Sequence, residues 1–85
     1  GPAAPAFYLA PNPLSTALTI FFREKTPGPT NVQVFNLQGN RVLEKWTPPD
    51  TDAFSLDVST LPAAAYFLKI NTLKDGSGQA FFVKI

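Results

Sequence analysis

Nine prolines and five glycines interrupt this chain of 85 residues at short intervals, and that punctuation constrains its fold more than any other feature. Proline inside a helix removes a hydrogen bond and clashes with the preceding turn, and glycine there costs about 1 kcal/mol. Between the breaks no stretch carries helically spaced apolar residues over more than a turn or two. What does lie there is seven short apolar or alternating segments: 7–10, 18–22, 32–37, 42–46, 53–58, 65–72 and 79–85. They are rich in β-branched and aromatic residues, which suit a pleated, half-buried strand. The chain is 45% hydrophobic and 13% aromatic, too apolar for disorder.

The joints carry turn chemistry. Gly39-Asn40 stands between the third and fourth segments and predicts a tight hairpin, because both residues tolerate positive φ. "KDGSGQ" does the same between the sixth and seventh, while "PGPT" and "PPDTD" are longer connections. Seven short strands with regular turns predict an all-β fold, a seven-stranded immunoglobulin-like antiparallel β-sandwich over residues 7–85, with a small barrel as the alternative. Gly1-Pro2 reads as the remnant of a cleaved tag, and residues 1–6 as that remnant plus linker.

One stretch is ambiguous. "LPAAAYFLKI" (61–70) begins like a helix and ends as an alternating strand. Sandwiches of this class often place a tyrosine where the chain changes sheets, its hydroxyl bonding backbone a few residues upstream. Residues 61–65 are therefore expected to form such a corner, with room for one 3₁₀ turn, and Tyr66 to pin it.

Little in the chain suits catalysis. It has no histidine and no cysteine, so the commonest general base, the thiol nucleophile, the usual zinc ligands and any disulfide are all missing. No cofactor is expected. Asp50 and Asp52 could begin a calcium loop, but the ligand pattern is incomplete and a solvated turn is the better reading. Seven basic and six acidic residues give a net charge of +1 with no basic stripe, against nucleic acid or an anionic lipid surface as partner. No apolar run approaches the length of a membrane-spanning helix.

Alternation assigns Tyr66, Leu68 and Ile70 to the core and turns Phe67 and Lys69 outward. In the last segment it assigns Phe81, Val83 and Ile85 to the core and turns Phe82 and Lys84 outward. Phe67 and Phe82 would then share one outer face of a hairpin near two lysines, with Phe21 and Phe35 on the minority faces of their strands. Such a patch is either a contact surface or the seat of a loop or N-terminal segment. The last segment is also expected at a sheet edge, where a receptor could read the strand with its carboxylate, or two copies could pair or exchange strands to form a homodimer.

"APNPLS" (10–15), "VQVFNLQGNRV" (32–42), "LPAAAYFLKI", a glycine and the closing "FFVKI" follow one another in an order that resembles the C-terminal sorting domain (type A) of proteins exported by the type IX secretion system of Bacteroidetes. Pro11, Asn12 and Pro13 match the family's opening motif. Leu37, Gly39 and Arg41 nearly match its hairpin motif, although Asn36 replaces an aspartate and Asn40 is inserted. Leu61, Pro62 and Tyr66 match the third motif, and Gly78, Val83 and Lys84 the last. Ala64 stands where the family usually has glycine; a positive-φ turn there would cost alanine about 1 kcal/mol, so either a helical turn or strain is expected. The resemblance implies a sorting signal that is no enzyme, takes no small-molecule substrate and trails an exported protein. Transit would run through the periplasm to the outer membrane, the cell surface or the medium. The implied partners are the outer-membrane translocon, its shuttle and a sortase-like transpeptidase, which cuts near or before residues 3–7 and joins the cargo to anionic lipopolysaccharide; some members stay uncut. The expected recognition residues are Phe67, Lys69, Gly78, Phe82, Val83, Lys84 and Ile85. The competing reading is an immunoglobulin-like binding or adhesion module for carbohydrate or protein, which needs a groove of exposed aromatics or a cluster of loop polar groups; the one tryptophan, Trp46, is ambiguous between core and surface.

Overall fold

Seven strands form where the punctuation leaves room for them. A computed structural model describes residues 7–11, 16–72 and 76–85. The strands are β1 (Phe7–Ala10), β2 (Ala17–Phe22), β3 (Thr30–Phe35), β4 (Arg41–Thr47), β5 (Ala53–Asp57), β6 (Ala64–Thr72) and β7 (Gly76–Lys84). Each overlaps one of the seven expected segments. All pairings are antiparallel and build two sheets, β1-β2-β5 and β4-β3-β6-β7. The fold is the expected seven-stranded sandwich. Asn12, Pro13 and most of the "KDG" turn lie outside the described residues.

The core is the inward face of both sheets. Leu18, Ile20, Phe22 and Leu56 from the smaller sheet meet Val32, Val34, Tyr66, Leu68, Ile70 and Phe82 from the larger. Alternating positions supply them, so strand period alone generates the apolar layer.

Hydrogen bonds latch the sandwich at both ends. At one end the chain crosses between sheets twice, after β2 and after β4, and Thr26 ties the crossings together. Its amide donates to the Thr51 carbonyl at 3.0 Å and its carbonyl accepts from the Asp50 amide at 2.7 Å. Its hydroxyl donates to the Pro48 carbonyl at 3.0 Å and accepts from the Thr51 amide at 3.0 Å. Asp50 takes a left-handed φ of 61° to make this turn. At the other end the chain crosses from β5 to β6 through the corner at residues 58–63.

The edges of the larger sheet differ. β4 carries Arg41, Glu44 and Lys45, whereas β7 carries no charge before Lys84.

Candidate recognition surface

The corner at residues 58–63 leads directly into the hairpin β6–β7. A turn closes from the Leu61 amide to the Val58 carbonyl at 3.0 Å. The chain then enters β6 at Ala64 with no helix. The Tyr66 hydroxyl donates to the Pro62 carbonyl at 2.6 Å, and the tyrosine is only 2% exposed. The expected tyrosine corner is therefore present. The expected trouble at Ala64 is not: Asp50 is the one non-glycine residue with positive φ among those described, and Ala64 sits in extended backbone that any residue adopts.

The β3–β4 hairpin also differs in detail. Asn36 to Gly39 form the turn, closed by the Gly39 amide on the Asn36 carbonyl at 3.0 Å. Gly39 takes φ 87°, and Asn40 does not follow it. The expected tight hairpin is present, as a three-residue loop ending in a left-handed glycine. The Asn36 side-chain oxygen accepts from the Gln38 and Asn40 amides at 3.0 and 2.9 Å. A carboxylate oxygen could accept both bonds equally, which explains how asparagine stands in for the family's aspartate. Leu37 is exposed at the tip, and Arg41 reaches Glu44 at 3.6 Å.

On β7 the expected facing is reversed. Tyr66 lies opposite Phe82, and Phe67 opposite Phe81. Phe82 is fully buried and stacks on the Tyr66 ring at 5.5 Å between centroids. Phe82 is thus a core residue, and the outward phenylalanine is Phe81, 48% exposed. Phe67, 40% exposed, meets Phe81 edge-on at 5.4 Å. Lys84 shares the inward parity of Phe82, with its ammonium donating to the Leu61 carbonyl at 2.7 Å. Val83 and Ile85 were expected in the core. Val83 shares the outward parity of Phe81 and is half-buried, and Ile85 just beyond the strand is exposed. Gly78 lies on the inner side, where an added Cβ would come within 2.9 Å of the Phe7 ring.

A row of three aromatics therefore crosses the outer face of the larger sheet, Phe35 opposite Phe67 and Phe67 opposite Phe81. The next rows are polar. Asn71 donates to Asn31 at 3.1 Å, and Asn31 and Gln33 both donate to one Glu44 oxygen at 3.0 and 2.9 Å. These bonds, from Gln33 first, hold the Glu44 carboxyl below its ordinary pKa, with the nearby Arg41 charge adding a smaller effect in the same direction. Lys69 stands opposite Gln33 on one side and Gln79 on the other. Phe21 lies on the other sheet, stacked on Tyr8 at 4.9 Å, and does not join the row. Trp46 is exposed on β4, opposite Asn31. Among the described residues no group of three or more His, Cys, Asp or Glu gathers as a metal site.

The missed residue was Phe81, and a signal for it existed. Once Tyr66 is assigned to the core, a hairpin opposes inward residues to inward residues, so the pairing partner of Tyr66 rather than the local hydrophobic pattern decides which phenylalanine faces out.

A small cysteine-free sandwich with a latched corner and an aromatic row on one outer face has the makings of a recognition module. The family described as "Secretion system C-terminal sorting domain" matches residues 8–84, nearly the whole chain. The chain belongs to that family, and its function is that of a C-terminal sorting signal for type IX secretion, which sends the protein that carries it to the cell surface or the medium. No curated protein matches the chain.

Proposed function

We propose that the secretion machinery reads this domain as a folded object, through the outer face of the β6–β7 hairpin. The aromatic row carries the reading: Phe67 and Phe81 form an edge-to-face pair left open to solvent on the strand that closes the domain. Lys69 borders the row with a positive charge, and Val83 and Ile85 extend its apolar margin. Gly78 serves from the inner side, where its missing Cβ gives Phe7 its place and keeps β1 against β7. Outward aromatics with little entropy to lose are the usual anchors of protein contacts. The partners in this reading are the translocon, its shuttle and a sortase-like transpeptidase, met from the periplasmic side of the outer membrane. The cut falls N-terminal to β1, and the domain itself performs no catalysis, in keeping with a sequence that lacks histidine and cysteine.

The test is export of a periplasmic reporter fused to this domain in a host with the secretion system. Changing Phe67 and Phe81 together to serine is expected to leave the domain folded and cut export about tenfold or more, the effect of losing two contacts of about 1 kcal/mol each. Undiminished export of the folded double variant would remove the aromatic row from the contact.

A further inference from the structure

The corner has two consecutive carbonyls outside either sheet, those of Leu61 and Pro62. Backbone carbonyls in a partly buried bend need donors, and Pro62 has no amide with which to build a local turn. Side chains from adjacent strands supply them: the Tyr66 hydroxyl of β6 caps Pro62, and the Lys84 ammonium of β7 caps Leu61 at 2.7 Å. A cationic donor makes the stronger kind of hydrogen bond.

We infer that Lys84 is a positioning residue for the sorting surface, and that its charge serves the corner rather than a partner. The consequence follows from strand period. Side chains alternate, so fastening Lys84 to the inner side obliges Val83 to face outward beside the aromatic row and sets the direction in which Ile85 leaves the strand. β7 is the outermost strand of the larger sheet, next to β6, and Lys84 is its last residue. Lys84 is the peg that keeps this end from fraying and from rotating its apolar margin out of register. The inference rests on the hairpin face being the contact, and the test separates the two.

Lys84→Met keeps the aliphatic stem and removes the donor; Lys84→Arg keeps a cation of similar reach. In the isolated domain, Lys84→Met is expected to speed amide exchange of the last β7 residues roughly tenfold, as loss of one bond to a charged group would, with Lys84→Arg restoring most of the protection. In the reporter fusion, export should fall and recover in parallel. Tyr66→Phe, which loosens the same corner while leaving the peg, controls for stability: at equal loss of urea midpoint it should export better than Lys84→Met. Loss of export by Lys84→Met with unchanged exchange at the strand end would mean that the charge is read directly, and would overturn the inference. Normal export by Lys84→Met despite faster exchange would overturn it too. If the Phe67/Phe81 double variant exports normally while Lys84→Met still frays the strand and fails, the contact lies elsewhere and the peg stands.

Discussion

Tyr66 couples two structures with one side chain. Its ring stacks on Phe82 inside the core and its hydroxyl closes the corner on the Pro62 carbonyl. Tyr66→Phe keeps the ring and strands the carbonyl, so it should lower stability by about 1–3 kcal/mol in urea unfolding, with export reduced in proportion to the fraction unfolded. Glu44 shows a different residue-scale effect. Because the amides of Gln33 and Asn31 depress its folded-state pKa, its contribution is full above the pKa of the unfolded chain and fades as pH falls through the lower folded value. The side chain is solvent-accessible, so the effect is small. Its carboxyl resonance should titrate below 4.5, and Glu44→Gln should flatten the acid limb of the stability curve below that pH.

At the scale of the element, β7 decides between two faces that look alike in sequence. Phe81, Val83 and Ile85 make one apolar set; Ala80 and Phe82 make the other, with a lysine at its end. Period-2 counting favours the first, and pairing with β6 imposes the second. The substitution pair that reports this is Phe82→Ala and Phe81→Ala. The first should cost about 3–5 kcal/mol, as removal of a fully buried ring does, and the second about 1 kcal/mol or less. Strand existence was legible throughout, because proline and glycine mark every boundary and the apolar runs between them fit strands and nothing longer. The corner was legible from Tyr66 and Pro62 together. The facing of β7 was legible only through its pairing with β6, because a strand apolar on both sides carries no phase of its own and takes it from a neighbour. The β3–β4 hairpin was legible from Gly39, while the part played by Asn36, whose side chain captures two amides and shapes the loop, was not.

At the scale of the molecule, the two latches stand at opposite ends of the sandwich. β5 alone separates them: its first residue follows the Thr26 crossings and its last precedes the Tyr66 corner, a span of about 16 Å for five residues. They share no hydrogen-bond partner. Thr26→Val and Tyr66→Phe should therefore add within about 0.5 kcal/mol when combined, measured by a double-mutant cycle in urea.

The charges on β4 bear on how far the larger sheet could be lengthened. Arg41, Glu44 and Lys45 discourage another strand from docking along that edge. A fibre built by adding strand to strand needs two open ends, and this sheet keeps one of them guarded.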